Sequence, residues 1–174
     1  TFKDELLELY DQLNAPKAFD LSTKSIGERA LKNKCLSYLS KLGEYDIAYQ
    51  QFIKAECMTD QFGSFQCLLD SENPYRVDVI NQFHKQHQSD VQVMDKWFSA
   101  QCISSVSSVE NVRGLMQHEL FSMTNPNRIR SVIGSFSQNS IQFHCQEGYQ
   151  LLTEVIIELD QLNPQIAARF AGIY

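Results

Sequence analysis

Two arginines lie two residues apart in Asn125-Pro126-Asn127-Arg128-Ile129-Arg130, and the same grammar returns in Asn163-Pro164-Gln165-Ile166-Ala167-Ala168-Arg169-Phe170. A guanidinium fork holds carboxylates through parallel hydrogen bonds, so the chemistry on offer is recognition of an acidic partner or an anionic ligand. Asn before Pro marks a helix start twice over: the Asn side chain caps an orphan N–H, and Pro suits the first helical position. Behind the first start, Ile129, Val132, Ile133 and Phe136 form a core-facing stripe that leaves Arg128 and Arg130 on its flanks. Both arginines then sit where the helix dipole disfavours positive charge, and an acidic partner or an anionic ligand is expected to compensate them. Gln165 and Arg169, four apart, are neighbours on one helix face. If both Asn-Pro starts open at the same edge, Arg130, Gln165 and Arg169 line one rim. On spacing alone, pairing of each arginine with a local carboxylate is the better expectation.

No other residues are spaced for catalysis. His84 and His87 are three apart, a spacing that suits a metal, but His84 falls in a core stripe, His87 in the polar tail Lys85-Gln86-His87-Gln88, and no third ligand is spaced to join them. His118-Glu119 opens like the zinc-protease signature H-E-x-x-H, but Ser122 stands where its second histidine must be. There is no G-x-S-x-G elbow and no glycine-rich phosphate loop. Catalytic and metal-binding residues are therefore expected to be absent.

The elements that position these residues read as helices. Phe2, Leu6, Leu9, Tyr10 and Leu13 keep helical spacing up to Asn14-Ala15-Pro16. A capping box at Ser25/Glu28 predicts a second helix ending at Gly43, and a third follows from Glu44. Asp60 is expected to cap a fourth, Asn73-Pro74 to open a fifth with Val77, Ile80, Phe83 and His84 inward, and Asp90 a sixth through Trp97 and Phe98. Ser107/Glu110 form a second capping box, and after the Asn125-Pro126 helix an irregular link near 137–148 leads to a helix over Tyr149–Leu162. Apolar residues nowhere sustain strand-like alternation. The expected fold is all-α: stacked helix pairs in an armadillo- or HEAT-like superhelical arrangement, with residues 1–174 as a single domain.

Composition bounds the rest. A chain of 174 residues buries about 70 % of the surface its unfolded form exposes. A net charge of −6 disfavours a nucleic-acid partner, and no apolar run is long enough for a membrane span. Beyond Lys96 every Lys or Arg is an arginine: Arg113, Arg128, Arg130 and Arg169. Five cysteines, without a Cys-x-x-Cys pair, and no Asn-x-Ser/Thr acceptor point to a reducing, cytoplasmic setting.

Three runs carry more than spacing: Val93-Met94-Asp95-Lys96-Trp97-Phe98, Val109-Glu110-Asn111-Val112-Arg113-Gly114-Leu115-Met116-Gln117-His118, and Phe121 through Phe136 with its core Asn125-Pro126-Asn127-Arg128-Ile129-Arg130-Ser131. They resemble the C-terminal domain of bacterial aminopeptidase N, the alanyl aminopeptidase of the zinc gluzincin class. The likeness extends through Lys32-Asn33-Lys34-Cys35-Leu36, Met58-Thr59-Asp60 and Leu162-Asn163-Pro164-Gln165, essentially the whole chain. The resemblance implies a cytoplasmic zinc exopeptidase that removes N-terminal residues from peptides. Its zinc and its H-E-x-x-H and G-A-M-E-N motifs lie in a catalytic domain, over which the helical domain closes. Neither motif is present, so the resemblance implies a C-terminal piece of a larger enzyme, ending at Phe170-Ala171-Gly172-Ile173-Tyr174 where relatives continue. It implies no cofactor in this piece, the parent's catalytic domain and peptide substrate as its partners, and a substrate-binding role for Arg130, Gln165 and Arg169. The alternative, on the residues alone, is a stand-alone helical-repeat scaffold that binds other proteins.

Overall fold

Helix-spaced apolar residues do build helices throughout: a computed structural model of the chain, describing residues 1–173, contains no strand among them. The chain divides into two compact units, Thr1–Asn81 and Gln82–Tyr174.

In the first unit, α1 (Phe2–Leu13) starts from a Thr1/Asp4 capping box. Helix α2 (Thr23–Lys41) begins earlier than expected: Ser22, in extended geometry, accepts the Ser25 N–H at 3.2 Å. Glu28 is thereby released from a capping role and pairs with Lys17 at 2.8 Å. The stop at Gly43 holds, because its φ of +92° is a left-handed conformation that a side chain would strain. Helix α3 (Tyr45–Lys54) follows. Helix α4 (Met58–Leu69) starts after Cys57, so Asp60 lies inside the first turn rather than capping it. Its carboxylate is instead claimed by Lys32 and Asn33. At Asn73-Pro74 the Asn side chain closes a turn onto the Tyr75 N–H at 3.0 Å, and α5 (Arg76–His87), whose residues from Gln82 on belong to the second unit, starts two residues past the proline. That register buries Val79 and Phe83 and leaves Val77 68 % exposed, correcting the expectation for Val77.

Leu36, Leu39, Phe52, Phe65, Leu68 and Leu69 make the apolar core of this unit. A polar chain runs through it. The Tyr10 hydroxyl donates to Gln51 Oε1 at 3.0 Å, and Gln51 Nε2 donates to Asn33 Oδ1 at 2.7 Å. Asn33 Nδ2 in turn donates to Asp60 Oδ1 at 2.9 Å. Buried polar groups are tolerable only when satisfied, and these satisfy one another.

In the second unit, α6 (Val91–Ile103) is capped by Asp90, whose carboxylate accepts the Gln92 and Val93 N–H groups. Helix α7 (Val109–Met116) uses a Ser108/Asn111 capping box, one residue later than the Ser107/Glu110 expected. The short α8 (Pro126–Ile129) is capped by Asn125 as expected, but it does not continue as an α-helix. A π-turn, Arg130–Gly134, follows, in which the Ser135 N–H donates to the Arg130 carbonyl, and α9 (Ser135–Ser137) closes the segment. Even with the extra residue of the π-turn, Ile129, Val132, Ile133 and Phe136 are all buried. Helix α10 (Gln146–Leu162) begins at Cys145, and α11 (Pro164–Ala171) is capped by Asn163. Gly148 is dictated by closeness: a Cβ there would lie 2.0 Å from the Phe143 carbonyl oxygen. Met94, Trp97, Phe98, Val112, Phe143, Leu151, Leu152 and Phe170 complete the core.

Candidate functional site

The four arginines of the second unit divide cleanly. Arg113 pairs with Glu154 at 2.7 Å, both half exposed. Arg128 does not lie on the flank as expected; it is 4 % exposed, with Nη1 2.9 Å from Asp95 Oδ1 and its guanidinium 4.8 Å above the centre of the Phe98 ring. This supplies the counter-charge that the helix start requires. The contact is an ion pair without hydrogen-bond alignment, since Nε, Nη1 and Asp95 Oδ1 are all buried and lack a hydrogen-bond partner. Asp95 is the residue that sequence reasoning missed. The need for an acid was legible, but which carboxylate meets Arg128 depends on a long-range packing that spacing does not encode.

Arg130 and Arg169 are exposed and have no carboxylate within ion-pair distance among the described residues. Arg130 Nη1 donates to Asn127 Oδ1 at 3.2 Å, a neutral partner on its own turn. Gln165 is exposed on the same helix as Arg169, one turn before it. The two Asn-Pro elements meet through small and aromatic residues: a Cβ on Gly134 would lie 3.7 Å from Arg130 Cβ and 3.8 Å from Cε1 of Phe170, the neighbour of Arg169. The π-turn bearing Arg130 and the helix bearing Gln165 and Arg169 are therefore adjacent. The two guanidinium groups and the amide are each exposed on these neighbouring elements, and groups of this kind suit carbonyl or carboxylate oxygens.

The histidines form a different group. His84 and His118 meet edge to face with ring centres 5.1 Å apart, and both pack on Trp97. His118 Nδ1 accepts the Leu120 N–H at 3.1 Å, and its pKa is lowered first by burial, then by His84, with Arg128 adding to the effect. His87 sits against Phe83 instead, so the His84/His87 pair does not converge on a ligand. Among the described residues no three His, Cys, Asp or Glu side chains converge as metal ligands, and the residues present do not fit a zinc ion. All five cysteines are free thiols, with Cys35 and Cys102 buried. No described helix is long and apolar enough to cross a membrane.

The first unit holds a cleft of about 850 Å³ whose lining includes Tyr10, Asn14, Arg29, Lys32, Gln51 and Asp60. Its cationic groups are already engaged: Lys32 bonds Asn14 and Asp60, and Arg29 donates to the Asp20 carbonyl and to Ser25. Arg130 and Arg169, by contrast, are exposed without a carboxylate partner among the described residues, which makes them the better candidates.

The chain spans about a fifth of the length of the known proteins it matches. Aminopeptidase N of Escherichia coli K12 is 39 % identical over 175 residues, covering 95 % of this chain and 20 % of that protein. Aminopeptidase N of Haemophilus influenzae is 33 % identical, covering 97 % of the chain and 20 % of the relative. Among solved structures, aminopeptidase A of Legionella pneumophila in complex with aspartic acid superposes with a TM-score of 0.88 at 27 % identity, over 99 % of this chain and 22 % of that one. The resemblance to aminopeptidase N read from the Asn125–Ser131 run and its neighbours is thus borne out, as is the all-helical repeat fold. A family model described as a domain of unknown function with ARM repeats, DUF3458_C, matches residues 1–173. With helix following helix along the whole matched length, the chain belongs to this ARM-repeat family.

Proposed function

We propose that the chain is the helical C-terminal domain of a zinc-dependent aminopeptidase of the aminopeptidase N type, which removes N-terminal residues from peptides. The domain performs no catalysis itself; it closes over the active site and lines the substrate cavity with Arg130, Gln165 and Arg169. The likeness to aminopeptidase N supports the reaction class. The observation that carries the site is electrostatic: Arg113 and Arg128 are answered by Glu154 and Asp95, while Arg130 and Arg169 are exposed without a carboxylate partner among the described residues. A peptide supplies what they lack, in its downstream carbonyls or terminal carboxylate. The zinc of such an enzyme, held by its catalytic domain, supplies Lewis-acid activation of carbonyl and water. The part of this chain is to bind and orient. Its partners are that catalytic domain and the peptide, with no role for nucleic acid or membrane, and its setting is cytoplasmic, as the free thiols favour.

The test uses the full-length protein. Arg130→Ala and Arg169→Ala should each weaken binding of a short peptide by about 1–3 kcal/mol, the cost of losing a charge-assisted hydrogen bond. Cleavage of an alanyl anilide, which extends little past the scissile bond, should change much less. Loss of melting temperature with an unchanged ratio of peptide to anilide turnover would make both arginines structural and sink the assignment.

A further inference from the structure

Arg128 breaks an economy that most buried positions obey. A guanidinium at 4 % exposure with Nε and Nη1 lacking a hydrogen-bond partner is costly, and an apolar side chain of similar volume would fill the space more cheaply. What an apolar side chain cannot do is fix direction. The Arg128 plane is held from two sides by one helix, since Asp95 and Phe98 are three apart on α6: charge at 2.9 Å from one, the ring face at 4.8 Å from the other. Between them they set both the depth and the rotation of the turn that Arg128 belongs to.

That turn is also anchored by the buried Ile129 and, just beyond it, Val132 and Ile133, but these apolar contacts carry no directional bond. Helix α8 is four residues long, far below the length at which a helix holds itself, and the π-turn begins directly after it. Asn125 caps it through the Asn127 and Arg128 N–H groups, and Ser131 Oγ donates to the Arg128 carbonyl at 2.9 Å. Every one of these ties converges on the backbone within three residues of Arg130. Among the described residues, the Arg130 side chain is hydrogen-bonded to Asn127 on the same turn.

We propose that Arg128, clamped by Asp95 and Phe98, is the positioning residue for Arg130: it fixes where the exposed guanidinium points and does not itself touch substrate. The proposal rests on the reading of Arg130 as a peptide-binding group. A buried arginine is maintained so that an exposed one, two residues on, is presented at a set angle across the α8/π-turn junction.

The experiment compares Arg128→Lys, Asp95→Asn, Arg130→Ala and the Arg128→Lys/Arg130→Ala double variant in the full-length protein. It reads kcat and KM for a tetrapeptide and for an alanyl anilide, together with amide hydrogen exchange. Lysine keeps the charge but loses the plane that stacks on Phe98, and Asp95→Asn keeps the shape but loses the charge. Either change should raise the peptide KM by about tenfold while leaving peptide kcat and anilide kinetics unchanged. Arg128→Lys should add nothing where Arg130 is already alanine. Independent, multiplicative effects in the double variant, or equal effects on peptide and anilide, overturn the proposal. If Arg130→Ala leaves the peptide KM unaltered, the substrate reading of Arg130 fails, and exchange then decides the positioning role. Faster exchange confined to residues 125–136 in Arg128→Lys sustains it; no change there, or equal change along 94–102, overturns it.

Discussion

Lys32 Nζ lies 2.7 Å from Asp60 Oδ2 between α2 and α4, with the two side chains only 10 % and 13 % exposed. Asn14 takes a further bond from the ammonium, and Asn33 gives one to the carboxylate. Removing one partner leaves the other charge nearly buried and partly unanswered, so Lys32→Met should cost about 3 kcal/mol in denaturant unfolding. Adding Asp60→Leu should restore part of that loss, because two apolar groups carry no stranded charge. Arg113→Ala is the contrast: its pair with Glu154 is half exposed, and its removal should cost under about 1 kcal/mol. Equal losses at the two sites would refute this ranking.

Two glycines should respond oppositely to alanine. At Gly148 the new methyl would lie 2.0 Å from the Phe143 carbonyl oxygen, which is backbone and cannot swing aside. Gly148→Ala should destabilise by about 3 kcal/mol or more. At Gly134 the nearest atoms, on Arg130 and Phe170, stand at 3.7 and 3.8 Å, ordinary contact distances. Gly134→Ala should therefore be neutral or stabilise by about 0.5 kcal/mol through a less flexible unfolded chain. Thermal melts of the two variants decide it, and a destabilised Gly134→Ala would mean that the π-turn requires the glycine.

Helix existence was legible because it rests on local chemistry. Asn125-Pro126 and Asn163-Pro164 cap as read, and the stripe Ile129, Val132, Ile133, Phe136 is buried as read. Starts slipped where two caps compete within a few residues: Ser22 displaced Ser25, and Ser108 displaced Ser107. The π-turn was invisible, since an inserted residue changes the hydrogen-bond partner of Ser135 and not the residue types. Arg128 was misjudged for a related reason. Flank geometry follows from the helix, but a buried guanidinium depends on Asp95 and Phe98, thirty or more residues away.

Tyr10 should set an alkaline limit. Its phenol is buried and donates to Gln51; burial, with Asp60 adding to the effect, pushes its pKa up to about 12 from 10.0. The unfolded chain then loses this proton more readily than the folded one. The contribution to stability is full below pH 10 and is lost as pH rises from there toward 12, by at most about 1.4 kcal/mol per pH unit for one proton. Tyr10→Phe should flatten the stability profile in that window. An unchanged slope would show that other groups carry the alkaline transition.

His118 should set an acid limit of the opposite kind. Burial is the largest influence holding its pKa below 6.5, His84 and Arg128 push the same way, and Glu119 opposes them. The folded state therefore resists a proton that the unfolded chain accepts near pH 6.5. Stability is full above that pH and falls as pH drops from 6.5 through the lower folded value. His87, lowered mainly by burial, contributes in the same direction, so one substitution should reduce the slope without abolishing it. The acids that pair at the surface, Glu28 and Glu154, are held below the ordinary 4.5 mainly by their hydrogen bonds from Lys17 and Arg113. His118→Gln keeps an oxygen that can accept the Leu120 N–H while removing the titration. Its urea midpoint should vary less than that of the parent chain as pH is lowered from 7 through 6.5. If both chains lose stability in parallel there, the cluster of His118, His84 and Arg128 is not what makes the fold acid-sensitive.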